Sequence, residues 1–376
     1  MKKSGYGKLI CAAASVVILL WVAMTVNPAA EGQKGRTNDL IVQFSNNVHN
    51  LKADAMSDVV YIEKTKKIPL SDFTAPEPDQ TCYGSVPCSE AEKVLDVIRE
   101  AEENGVLAGQ DVIFDTGAEF NANKDIQYYL DDTILAICWS EMINGRVCNC
   151  AEIKIKDASQ FRRKVAGDSF GSQSAAYTNG YSKEVNAVIA MNGDFYAFRS
   201  YGVCVFQGEL CRFNERYYKA EESYSYNYID SMFVDKNGDF SFLRRGDVLS
   251  RGDMEQFVEE NGVMFSLAFG PVLVDNYEVQ ETLPYPIGEG NSVASRAGIG
   301  QFDKLHYLYM NVQASGRYGA NTDEFAAFMA SKGLRCAYNL DGGQTAEFTI
   351  NNRDYNDIDR GSRRPVSDII YFATAS

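Results

Sequence analysis

The sequence predicts an α+β fold: a mixed, largely antiparallel sheet core with a few packed helices, preceded by an N-terminal membrane segment. Three observations predict it. Hydrophobic residues are 45% and aromatics 12% of 376 residues, enough to close one large core, or one core plus a smaller appendage. From about residue 133, short apolar runs alternate with polar turns, as strands do, while helical spacing appears at residues 89–101 and 321–329. Residues 9–26, LICAAASVVILLWVAMTV, carry no charge and follow three lysines.

That apolar run is near the lower length limit for a spanning helix and longer than a usual signal-peptide core. It reads as an uncleaved anchor, with a secreted chain as the alternative. Asn27-Pro28-Ala29-Ala30 offers small residues for cleavage but no A-x-A. Lys2, Lys3 and Lys8 keep their end inside, so the expected location is the cell membrane, single-pass, with an extracellular domain. The net charge is -15 overall and -18 beyond residue 30, a field that repels polyanions and argues against a nucleic-acid partner.

The chain divides by composition into a membrane segment at 1–30, a stalk or accessory region at 31–130, and a main domain at 131–376. Within the second region Leu40–Phe44 is a strand candidate and DFTAPEPDQ is rich in turn residues. Ser89 and Glu92 have capping-box spacing ahead of an apolar stripe of Ala91, Val94, Leu95, Ile98 and Ala101, so one amphipathic helix follows, stopped by Gly105. The main domain supplies strands at ILAIC, VCNCAEIKI, AVIAMN, GVCVF, SMFV, FSFL, GPVLVD, HYLYMNV, RCAYNL and VSDIIYFA, with a hairpin turn at Asp235–Gly238. Asn321 and Glu324 repeat the capping spacing before Phe325, Ala327, Phe328 and Met329, and Gly333 ends that helix.

Eight of nine cysteines lie outside the apolar run, an even number that suggests disulfides in an exported chain. In VCVFQGELC a two-residue turn at Gln207-Gly208 would set Cys204 opposite Cys211; Cys82 and Cys88 bracket a short Gly/Pro segment and form the next candidate pair. Zinc is disfavoured, because Cys148-x-Cys150 has no C-x₂-C companion and the chain has only two histidines, His49 and His306.

Four segments join an apolar strand to an abrupt polar cluster. In AVIAMNGDFYAFR, Asn192-Gly193-Asp194 presents a carboxylate at a strand end, although the same letters also make an ordinary turn. In CAYNLDGGQTAEF, a strand runs into Asn339, Asp341, Gly342 and Gly343, where two glycines permit close backbone approach. In NSVASRAGIGQ, Arg296 stands among small residues, and a guanidinium suits phosphate because its planar fork donates two parallel hydrogen bonds. RGSRRPVSDIIYF adds Arg363 and Arg364 before a buried strand. Together these arginines would make a positive pocket in a negative protein, selective for a small phosphorylated ligand. No G-x-S-x-G elbow or Walker loop is present, and His306 reads as a structural histidine.

In this order, AMNGDFYAFR, YGVCVFQGELCR, AFGPVLVDN, ASRAGIGQ, HYLYMNV, DEFAAFMASKG, AYNLDGG and RRPVSDIIYF, the segments resemble the phosphodiester glycosidase family over roughly residues 150–376. The bacterial branch of that family is labelled exopolysaccharide-related. The resemblance implies hydrolysis of the glycosidic bond of an N-acetylglucosamine-1-phosphodiester, in a surface glycan or related polymer. It implies Asn192, Gly193, Arg296, Asn339, Gly342, Gly343 and Arg363 as substrate-binding residues, with Asp194 and Asp341 acting at the sugar carbon. No organic cofactor is expected, and a divalent cation would fall to Asp194 and Asp341. Two departures stand out: Gln344-Thr345-Ala346-Glu347 replaces the family's small-residue continuation, and Ser315-Gly316-Arg317 replaces Asp-Gly-Arg. A non-catalytic carbohydrate or cell-wall-polymer binding ectodomain is the alternative reading.

Overall fold

Strand alternation decides the architecture. In the strands Ile134–Ile143, Arg146–Ile155 and His306–Val312, successive residues bury on opposite faces, so both faces of one sheet must be covered. The computed structural model describes residues 66–103, 112–172, 174–194, 196–198, 202–213, 230–244, 250–282, 292–313, 319–357 and 363–375. Every strand pairing among them is antiparallel.

The largest sheet has nine strands, in spatial order Glu278–Val279, Val272–Asp275, Cys336–Leu340, Arg296–Asp303, His306–Val312, Arg146–Ile155, Ile134–Ile143, Ile126–Leu130 and Tyr83–Val86. Strands from the region before residue 131 thus extend the same sheet. A five-stranded sheet runs Arg353–Asp354, Phe348–Ile350, Ile189–Asn192, Asp368–Phe372, Phe161–Val165; its Asp368–Phe372 strand lies between two strands that precede it by well over a hundred residues. A second five-stranded sheet runs Glu209–Arg212, Cys204–Phe206, Val263–Leu267, Ser231–Asp235, Phe240–Leu243. Lys66–Lys67 pairs separately with Ser169–Phe170.

One face of the nine-stranded sheet, carrying Ala136, Ile153, Ile299, Tyr309 and Tyr338, meets Met191, Phe348, Ile370 and Phe372 of one five-stranded sheet and Met232, Phe265 and Leu267 of the other. The opposite face, with Ile137, Trp139, Leu308 and Met310, is covered by α1 (Glu92–Glu103) through Val94 and Ile98 and by α4 (Thr322–Ala330) through Phe325 and Met329. Each such side chain contributes about 1.5–3 kcal/mol of burial. α2 (Thr178–Glu184) and α3 (Arg251–Glu260) back the two smaller sheets.

The cap expected at Asn321 is present: its side chain accepts from Glu324 N at 2.8 Å, and Asn321 N donates to Glu324 Oε2 at 2.9 Å. At the Asp235 hairpin, Asn237 N donates to Asp235 Oδ1 at 2.8 Å and Gly238 takes φ +83.

Two expectations are corrected. The fold is mixed α+β with antiparallel sheets and four helices among the described residues, none of them long and apolar enough to cross a membrane. The anchor at residues 9–26 and the strand at Leu40–Phe44 lie outside the described residues, so the single-pass location and the membrane partner have nothing here to rest on. The disulfides are absent as well: all eight described cysteines are thiols. The Gln207-Gly208 turn forms, at φ +50 and +77, but a bulge between Leu210 and Arg212 sets Arg212 opposite Cys204. The extra residue turns Arg212 inward, where its Nη1 donates to Tyr196 O at 3.2 Å, and leaves the Cys211 thiol against Glu209 O. Cys88 donates instead to Lys124 O at 2.9 Å, while Cys82 packs against the core.

Candidate active site

Three of the polar clusters meet where the nine-stranded sheet and a five-stranded sheet end together. Ala297 pairs with Leu340, so Asp341, one residue beyond, comes level with Arg296. Gly343 N donates to Ser295 O at 2.9 Å and ties the Asp-Gly-Gly loop to the Arg296 strand. Gly342 is required there: a Cβ would lie 2.6 Å from Ser295 O. Asn192, the last residue of its strand, donates from Nδ2 to Asp341 O at 2.7 Å and accepts on Oδ1 from Tyr309 OH at 2.9 Å.

The two aspartates occupy different surroundings. Asp194 is fully buried: Oδ1 accepts from Arg163 Nη2 and Tyr196 N, both at 2.9 Å, and Oδ2 accepts from Ala268 N at 2.6 Å. Arg163 also donates through Nε to Asp368 Oδ2 at 2.8 Å, and Asp368 Oδ1 accepts from Asp194 N at 3.2 Å. Two carboxylates thus share one buried guanidinium. Burial pushes the Asp368 carboxyl up to about 6, with Arg163 opposing the rise and Asp194 adding to it. Gly193 fits this unit by lacking a side chain, since a Cβ would stand 2.1 Å from Asp368 Oδ2.

Asp341 remains slightly accessible at 7%, and its Oδ2 accepts from Arg364 Nη2 at 2.9 Å, with the Arg364 side chain about a third exposed at 32%. Arg296 is buried; its Nε donates to Ala320 O at 3.0 Å and its Nη2 to Ser292 O at 2.7 Å. Asn339 donates from Nδ2 to Gly270 O at 2.7 Å, while its buried Oδ1 has no hydrogen-bond partner.

Arg363 is not brought to Asp341. Its guanidinium pairs with Asp354 and stands 3.6 Å from Glu347 Oε2, over the ring of Tyr177. Glu347 is fully buried, and desolvation raises its carboxyl above the ordinary range despite Thr178 and Arg363. Its backbone carbonyl receives Asn192 N at 3.2 Å and Tyr309 OH at 3.3 Å, so the chain's departure from the small-residue pattern sits directly beneath the site.

Reading the sequence alone missed Arg163, Asp368, Tyr309 and the Arg364 contact. Asp368 had a signal, a charge at the start of the apolar strand DIIYF, where an unpaired charge would be costly; Arg163 had none, being one of three cations in FRRKV. Among the described residues no three His, Cys, Asp or Glu side chains converge as a metal site. His306 holds Glu152 Oε1 at 2.7 Å in the core.

Residues 185–373, half of the chain, match the model of the phosphodiester glycosidase family. No curated protein matches the sequence. Among solved structures, the catalytic domain of zebrafish N-acetylglucosamine-1-phosphodiester alpha-N-acetylglucosaminidase, auto-inhibited by its pro-peptide, is 15% identical, with 64% of this chain and 83% of that one covered at a TM-score of 0.47. A hypothetical protein from Synechocystis is 16% identical, with 64% and 62% covered at a TM-score of 0.45.

Proposed function

The chain belongs to the phosphodiester glycosidase family, and from that premise we propose that it hydrolyses the glycosidic bond of a sugar-1-phosphodiester of the N-acetylglucosamine-1-phosphate type, carried on a surface glycan. The observation that supports this most directly is the pairing of the Asp341 carboxylate with the partly exposed Arg364 guanidinium at a strand end level with Arg296. Water adds to the anomeric carbon as the bond from that carbon to the phosphate oxygen breaks. The electron pair of that bond leaves with the phosphate monoester, and the water proton passes to Asp341. A phosphate monoester leaves well without full protonation, so cations neutralising its oxygens do more here than a strong general acid.

In this reading Asp341 is the base, Arg296 shapes the anion-binding wall, and Asn192, Asn339, Gly342 and Gly343 hold the loop that carries Asp341. Asp194, whose carboxylate oxygens both accept hydrogen bonds inside the protein, acts through position by fixing the turn beside Asn192.

Kinetics of the purified chain on methyl N-acetylglucosamine-1-phosphodiester test the proposal. Asp341→Asn lowers kcat by about a hundredfold or more with the fold intact, as loss of a general base does. Turnover by Asp341→Asn equal to that of the unmodified protein overturns the assignment. The second reading, a carbohydrate-binding chain without turnover, is favoured by one observation: Asp194 and Asp341 both face arginine partners from the same chain. Saturable binding of the diester with no product formed would select it.

A further inference from the structure

Arg363 and Arg364 are consecutive, and their guanidinium groups go to different partners. Arg363 is held by Asp354, by Glu347 and by the Tyr177 ring. Arg364 is anchored by its backbone, with N donating to Gln344 O at 3.3 Å, while its guanidinium reaches the Asp341 carboxylate and remains partly in solvent. With about a third of its side chain in solvent, Arg364 can be reached by a competing anion, while the Asp341 side chain is 10% exposed. The buried Arg163 unit, by contrast, has no exposed edge.

Resting on the reading of the chain as a sugar-1-phosphodiester hydrolase, we propose that Arg364 is an exchangeable guanidinium that pairs with Asp341 in the free protein and with the substrate phosphate in the complex. An anionic leaving group then releases Asp341 for its work as base. A neutral leaving group cannot compete for Arg364, and Asp341 stays engaged. Specificity for phosphodiesters over neutral glycosides is therefore built into one ion pair, and Arg363, engaged with Asp354 and Glu347, takes no part in the exchange.

The experiment compares kcat/KM on methyl N-acetylglucosamine-1-phosphodiester and on neutral 4-nitrophenyl N-acetylglucosaminide, for the full chain and for Arg364→Gln, Arg364→Lys and Arg363→Gln. The expected result is a fall of about a hundredfold in the diester-to-glycoside ratio for Arg364→Gln, partial recovery in Arg364→Lys, and an unchanged ratio in Arg363→Gln with a lowered Tm. A ratio that Arg364→Gln leaves in place, or that only Arg363→Gln changes, overturns the proposal. Calorimetric binding of N-acetylglucosamine-1-phosphate supplies a readout free of turnover: Arg364→Gln weakens it about tenfold or more, and equal affinity overturns the exchange. If the unmodified chain turns over neither substrate, the hydrolase reading fails by itself, and the calorimetric comparison still decides whether Arg364 meets phosphate.

Discussion

Two ion-pair centres, linked by a hydrogen bond from Asp341 N to Gly193 O at 3.4 Å, share a composition of aspartate and arginine, yet they differ in access to water. Around Arg163, the guanidinium and both carboxylates are at most 1% exposed and every oxygen of Asp194 is engaged. Around Arg364, the side chains are 32% and 10% exposed and one contact joins them. A sealed centre can only hold geometry, because exchanging a partner would leave a charge uncompensated in a medium of low dielectric. An open centre can exchange partners, and that is what a binding site needs. Under the proposed hydrolysis, two motifs of similar wording then divide the work, Asn-Gly-Asp as support and Asp-Gly-Gly as the carrier of the chemistry.

The largest expected effect breaks the sealed centre. Arg163→Met leaves Asp194 and Asp368 buried together without their cation and costs about 3–5 kcal/mol of stability, measured by urea unfolding; a loss below 1 kcal/mol would show the unit to be open after all. A smaller effect concerns pH. Because Asp368 is raised from an ordinary 3.8 to about 6, the folded chain binds more protons than the unfolded chain between those values. Its contribution to stability is complete below about pH 4 and declines as pH rises through 6. Unfolding midpoints from pH 4 to 7 check this, and Asp368→Asn should flatten that part of the profile. The smallest effect provides the exposed reference: Arg99 and Asp96 on α1 are 62% and 65% exposed, and Arg99→Ala should change stability by under about 0.5 kcal/mol.

Local chemistry was legible in the sequence wherever a few adjacent residues suffice. The Asn321 cap, the Asp235–Gly238 turn, the Gln207-Gly208 turn and the stripe of Val94 and Ile98 all follow from spacing. The three strand-end clusters at Asn192, Arg296 and Asp341 were legible as clusters too. What escaped was register and long-range pairing. Whether Cys204 faces Cys211 or Arg212 depends on one inserted residue, which no turn signal announces. Arg163 and Asp368 are 205 positions apart, and only the sheet brings them together. The choice between Arg363 and Arg364 rests on which of two adjacent side chains reaches Asp341, and nothing in RRP states it.

The interior position of the Asp368–Phe372 strand also sets an order of assembly. During synthesis the Phe161–Val165 and Ile189–Asn192 strands emerge long before the strand that must fill the slot between them. Until it arrives, each exposes an unpaired edge, Arg163 waits without one of its two acids, and the Asp341 loop lacks the guanidinium of Arg364. A nascent chain therefore carries an unfinished sheet while the residues from Asn192 to Asp368 are added, vulnerable to capture by other strands, and brings Arg364 to Asp341 only afterwards.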